Sequence, residues 1–177
     1  SEVTLTNLLG NIEAYASREG VGALAGVQRG KPAIVVSAGP SLARNIDLLA
    51  MPGIRERFVI IATQTVLKPL LSRGIRPHFV TALDYHEISA RFYEGLEARD
   101  VEDVTLVVEA KANPAIIRAF PGRVRLAQDP WLDEVMGAGL ARPLGRIAPG
   151  ATVAHLAYYL ARHMGCDPVV LVGQDLG

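Results

Sequence analysis

The chain has 177 residues, 50% of them hydrophobic and 20% charged, which suits one globular domain with a full core. Its 18 Lys+Arg balance its 18 Asp+Glu, so no global field favours nucleic acid or an anionic membrane, and no apolar run approaches the ~20 residues of a membrane span. The single cysteine, Cys166, excludes an internal disulfide and argues against a cysteine-based metal site.

The start, Ser1-Glu2-Val3-Thr4, lacks the basic-then-apolar pattern of a signal peptide, which points to the cytoplasm. Residues 1–30 read as a separate helical lead-in, with Leu5, Leu8, Leu9 and Ile12 on one side. Ala33 to Ser37 is the first clear strand. Phe58 to Ala62, Phe79 to Leu83, Val104 to Glu109, Val124 to Ala127 and Val169 to Val172 follow. Several are continuous apolar runs, the mark of strands covered on both faces in a parallel sheet. Helical spacing fills the gaps: Leu42 to Leu49, Gln64 to Ser72, Glu87 to Leu96, Pro114 to Ala119 and, longest, Gly150 to Met164, with Gly165 as its C-terminal cap. The pattern predicts an α/β fold: a Rossmann-like three-layer sandwich with a mostly parallel sheet over residues 31–177 and a short N-terminal helical extension. The end at Gln174-Asp175-Leu176-Gly177, directly after an apolar run, is expected of a domain within a longer protein.

The segment Ser37-Ala38-Gly39-Pro40-Ser41-Leu42 leaves the first strand and enters a helix. Gly39 allows a sharp turn and close approach of a ligand, Pro40 suits a helix entry, and Ser41 can cap it. The N–H groups freed at such a start favour an anion such as phosphate. A tight turn with a capping serine and no ligand accounts for the same residues, and neither GxGxxG nor a P-loop is present. Under the ligand reading, valine at 39 is expected to abolish binding and leave the fold intact. Ala148-Pro149-Gly150-Ala151-Thr152 opens the longest helix in the same way, with plain capping as its alternative.

Polar residues recur where strands end. Asp84 follows the third clear strand, where a carboxylate can face the ligand crevice, hold Mg²⁺ against phosphates, or cap the next helix. Gln174 and Asp175 follow the last; Glu109, Lys111 and Asn113 the fourth; Asp129 the fifth. Thr63, Gln64 and Thr65 can bond a base or sugar, or simply open a helix. His86 is the one candidate acid or base by position, against a surface role. Trp131 and Cys166 read as packing residues.

Taken in order, AGPSL at Ala38 to Leu42, IATQTVLKPLLSRGIRPHFVTALD at Ile61 to Asp84, GATVAHLA at Gly150 to Ala157 and GCDPVVLVGQDL at Gly165 to Leu176 resemble the MptE-like family, over roughly Lys31 to the end. That family includes archaeal 6-hydroxymethyl-dihydropterin diphosphokinases and bacterial motility accessory factors. The resemblance implies a nucleotide-dependent transferase. One branch moves diphosphate from ATP to a hydroxymethylpterin with Mg²⁺. The other is linked to glycosylation of flagellin from CMP-activated sugars, and its GPS turn is similar to that of bacterial sialyltransferases. By position, the resemblance puts Gly39, Pro40 and Ser41 on the ligand turn, Asp84 on the acidic motif after the third clear strand, Gly150 and Thr152 on the second helix start, and Gln174 and Asp175 on the final acidic end. Together with Ala38 and Thr63, read from their places after strands, these are the expected nucleotide-binding residues, with Asp84 and Asp175 expected to be catalytic and Asp84 to hold a metal. The diphosphokinase motif has two nearby aspartates after that strand, and here Ala82 replaces the first. A single carboxylate is a weak holder for metal diphosphate, which tilts the expectation toward the CMP-sugar branch with flagellin as acceptor. Mg²⁺-ATP diphosphotransfer is the enzyme alternative, and a nucleotide-binding module of a larger motility or envelope-assembly protein is the non-enzyme one.

Overall fold

Short runs of branched apolar residues set the architecture, because each is too apolar to leave either face of a sheet wet. In the computed structural model, which describes residues 1–175, the elements are α1 (Glu2–Gly10), α2 (Ile12–Ser17), β1 (Glu19–Gly20), β2 (Ala33–Val36), α3 (Leu42–Asn45), α4 (Ile54–Arg57), β3 (Val59–Thr63), α5 (Leu67–Ser72), β4 (Phe79–Ala82), β5 (Thr105–Val108), α6 (Pro114–Ala119), β6 (Arg123–Leu126), α7 (Pro130–Met136), α8 (Val153–His163) and β7 (Val169–Val172). The strands form one seven-stranded sheet in the order β1-β6-β5-β4-β3-β2-β7, parallel throughout.

Alternate residues of each strand serve opposite layers. Ala33, Val35, Val59 and Ile61 face Ala157, Leu160, Ala161 and Met164 of α8. Ile34, Val36, Ile60 and Ala62 face Leu42, Ile46, Leu49 and Leu70 on the other side. Farther along, Val80, Ala82, Leu106, Val108 and Leu126 pack on Ile116, Ile117, Phe120 and Tyr93. Each large apolar side chain removed from water in this way contributes about 1.5–3 kcal/mol before entropy. Val170 and Leu171 of β7 remain about half exposed, at 44% and 52%.

The stretch 87–96 is not an α-helix. Glu87–Tyr93 winds as a 3-10 segment, because Ile88, Ser89, Phe92 and Tyr93 are modest helix formers and its first turn is tied to Asp84. Two helices absent from the sequence expectation, α4 and α7, fill tight corners before β3 and after β6.

Residues 1–30 carry the expected helices, and they also join the sheet: β1 pairs with β6, Glu19 opposite Arg125. Tyr15 is fully buried, and its hydroxyl donates to Asp133 Oδ1 at 2.6 Å and accepts from the Asp129 N–H at 2.9 Å. Burial and the Asp133 carboxylate push its pKa up to about 12. Asn11 Nδ2 donates to the carbonyls of Ala110 and Ala112 at 2.9 and 2.6 Å, and Asn7 Nδ2 to those of Tyr85 and Lys111 at 3.1 Å each. The lead-in therefore braces the loops at the C-terminal ends of β4 and β5.

Candidate functional site

The strand order reverses at β2, with β3 to β6 running out on one side and β7 on the other. In an open α/β sheet the crevice at the C-terminal ends of the strands beside such a reversal is where ligands bind. The Ala38–Ser41 turn leaves β2 there, and Gln174 and Asp175 leave β7. The Gly39 N–H donates to the Gly173 carbonyl at 2.6 Å, and the Ser41 N–H to Asp175 Oδ2 at 2.8 Å. A Cβ on Gly39 would stand 2.2 Å from the Gly173 oxygen and 2.3 Å from Asp175 Oδ2, so glycine here is a packing requirement. Valine at 39 would displace the end of β7, contrary to the expectation that it spares the fold.

This corner is not a cradle of bare amides. The Asp175 carboxylate occupies the start of α3, and the Ser41 hydroxyl and N–H, with Arg44 nearby, hold its pKa below the ordinary carboxylate range. Ala38, Pro40, Gln174 and Asp175 are exposed. Beneath them the Ser37 hydroxyl is buried without a hydrogen-bond partner among the described residues.

The second helix start lies on the same rim. Buried Thr81 in β4 donates its hydroxyl to the Val153 carbonyl at 3.0 Å, which seats the first turn of α8 over β4. Strand spacing puts this about 10 Å from β2, two strands away. Thr152 accepts from the His155 N–H at 3.2 Å as the cap, while the N–H groups of Val153 and Ala154 have no partner among the described residues. They lie at the positive end of an 11-residue helix. Gly150 packs against that turn, where a Cβ would meet His155 Cβ at 2.9 Å. Between the two starts, Thr63 is 2% exposed, its hydroxyl 3.4 Å from the Val36 carbonyl, so it forms the floor. Gln64 is also buried, bonded to the Tyr93 hydroxyl at 2.7 Å, and Thr65 is exposed.

Asp84 follows β4, and both of its carboxylate oxygens are engaged, one by the His86 N–H at 3.0 Å and the other by the Ser89 hydroxyl. No cluster of three or more His, Cys, Asp or Glu suited to a metal occurs among the described residues. With Ala82 in place of a second aspartate, the residues around Asp84 do not make a magnesium site by themselves. His86 is exposed at this end of the rim, and His163 points away from it to the Val21 carbonyl at 2.8 Å.

Beyond β4 the rim opens into a cleft of about 350 Å³ lined by Glu109, Lys111, Asp129, Arg146, Ile147 and Pro149, among others. Asp129 is committed to capping α7 through the Leu132 N–H at 3.0 Å. Burial raises the pKa of Glu109, while Lys111 and the Gly150 N–H partly restrain the rise. The wall carrying Arg146 is pinned by Gln128, whose backbone N–H donates to the Gly145 carbonyl at 2.7 Å and whose Oε1 accepts from the Gly145 N–H at 3.0 Å. Sequence reasoning named Glu109, Lys111 and Asp129 as strand-end polar residues, and it missed Asn7 and Asn11. The available signal was a pair of asparagines four apart on the apolar side of the leading helix.

No curated protein matches this chain. Among solved structures, the chain is similar to a MAf glycosyltransferase from Magnetospirillum magneticum AMB-1, at 23% identity and a TM-score of 0.71. The match covers 97% of this chain and spans 28% of that one, and it shows the fold. The family model described as 6-hydroxymethylpterin diphosphokinase MptE-like matches residues 6–177, so the likeness takes in most of the lead-in that the sequence blocks left outside. The chain belongs to the MptE-like family.

Proposed function

We propose that this rim binds a nucleoside phosphate and that the chain is the nucleotide-binding part of a transferase using a CMP-activated sugar, with a surface protein such as flagellin as acceptor. The observation that carries this is the pairing of two unlike ends on one rim: an exposed, ionised carboxylate at the β2/β7 corner, and unpaired helix amides over β4. Asp175 suits the hydroxyls of a ribose, as acidic residues do in related crevices. The first turn of α8, with Gly150 and Thr152, suits the phosphate. Ala38, Gly39, Pro40 and Gln174 shape the corner between them. The donor is a sugar nucleotide in this reading, because Asp84 is the lone carboxylate after β4 and is already engaged. A second reading, Mg²⁺-ATP diphosphotransfer to a pterin-like alcohol, is favoured by the family's description. In that reading Asp84 would give up its capping bonds to hold Mg²⁺.

Thermal unfolding with CMP, CTP, ATP and AMP, each with and without Mg²⁺, separates the two. CMP at a hundred times its Kd should stabilise the protein by about 2.7 kcal/mol without Mg²⁺. Asp175→Ala and Thr152→Ala should each weaken that shift. Stabilisation by ATP only with Mg²⁺, and none by CMP, would sink the CMP-sugar reading.

A further inference from the structure

The cleft after β5 and β6 holds charges that the fold itself does not use. Lys111 and Arg146 make no ion pair among the described residues, whereas Arg55, Arg76, Arg99 and Arg125 each do. Glu109 is partly buried and lines the same cleft, with Ala110, Ala127, Ile147 and Pro149, a space of about 350 Å³ that suits a small polar molecule. The loop carrying Glu109 and Lys111 is braced from below by Asn7 and Asn11, so the group sits on a fixed support. Pro149, next to Gly150 and just ahead of the first turn of α8, lines the same cleft as Glu109. Glu109 is thus the acidic group adjacent to the proposed phosphate position.

We infer that the cleft takes the acceptor alcohol of the transfer, and that Glu109 is the general base that receives its hydroxyl proton. The inference rests on the transferase reading but not on which donor is used. As the acceptor oxygen forms its new bond to the transferred group, its proton passes to the Glu109 carboxylate. The bond from that group to the nucleotide phosphate breaks, and its electron pair leaves on the phosphate oxygen at the α8 start. Lys111 and Arg146 hold acidic or hydroxyl groups of the acceptor. A carboxylate that burial moves toward neutral pH, as this one is moved, is better matched to proton transfer.

The test follows donor turnover by the full-length protein, with a CMP-activated sugar or ATP–Mg²⁺ as donor and glycerol as a small alcohol acceptor, beside nucleotide affinity by calorimetry. Glu109→Gln keeps the shape of the side chain and cannot take a proton. Its turnover should fall about 100-fold or more, with nucleotide affinity unchanged. The charges lining the cleft with Glu109 are Lys111 on its own loop, Asp129 after β6 and Arg146 ahead of α8. Lys111→Met removes a charge that favours the carboxylate, so the acid limb of the rate profile should move to higher pH, a shift that a purely structural glutamate would not give. Turnover by Glu109→Gln within about threefold of wild type, with binding intact, overturns the base and leaves the transferase reading standing. A parallel loss of nucleotide affinity assigns Glu109 to holding the loop and also overturns it. Nucleotide binding with no turnover overturns the base, and no nucleotide binding at all overturns both readings.

Discussion

At the N-terminal rim of the sheet, Arg55 and Arg76 share Asp103, Arg55 also bonds the Arg76 carbonyl, and His78 accepts the Ile60 N–H through Nδ1 at 3.0 Å. At the C-terminal rim, Lys111 and Arg146 have no ion pair among the described residues, and the first amides of α8 face outward. One rim satisfies its polar groups internally. The other holds some of them ready, and supports them with buried asparagines rather than with opposing charges. A pairing network keeps a surface closed, whereas a braced and unpaired set keeps a site open. The difference separates paired from unpaired polarity without any appeal to residue type, since both rims use arginine, aspartate and histidine.

The sharpest way to break the comparison is to remove the brace. Asn11→Leu leaves the Ala110 and Ala112 carbonyls buried without their donor, and should cost about 3 kcal/mol by urea denaturation. A cost below about 1 kcal/mol would mean that the loop stands unaided. An effect of similar size is expected from acid at the closed rim. Burial, with Arg55 and Lys31 nearby, lowers the His78 pKa from 6.5 to about 4. The unfolded state therefore takes up the proton first, so stability is full above pH 6.5 and is lost as pH falls through about 4. His78→Gln should flatten that slope while nucleotide affinity at pH 7 stays as it was. An unaltered slope would remove His78 from the account. The smallest effect belongs to the exposed ion pairs: Asp103→Ala should cost at most about 1 kcal/mol, less in high salt, and leave nucleotide binding untouched. Weakened binding in that variant would show that the two rims are not independent.

Much of this was legible from sequence. Continuous apolar runs such as Val59–Thr63 read as parallel strands because both faces are covered, and the structure has them within a residue or so of the expected ends. The glycine turn after β2 and the α8 start both lie on one rim, as a shared ligand requires. What sequence could not convey was the state of the amides: that Asp175 would lie on the Ser41 N–H depends on β7 docking beside β2, a contact between residues 134 apart. The same holds for β1, a two-residue strand too short to carry a periodic signal, which exists only because β6 offers it an edge. Glu109 was visible as a strand-end carboxylate, but nothing in its own stretch shows that Arg146, Ile147 and Pro149 line the same cleft.

The position of β1 sets an order of events during synthesis. The lead-in is made before the segments it binds: its strand partner is Arg125, its asparagine acceptors are 99 and 101 residues downstream, and the Tyr15 hydroxyl waits for Asp129. Leu8 and Tyr15 therefore stay wet until the residues they pack on have been made, and they dock late, as contacts of long sequence separation do. The segment that steadies the open rim is made before the loops it braces and settles after them, so the cleft beyond β5 takes its final shape only once the residues through Asp129 have been added.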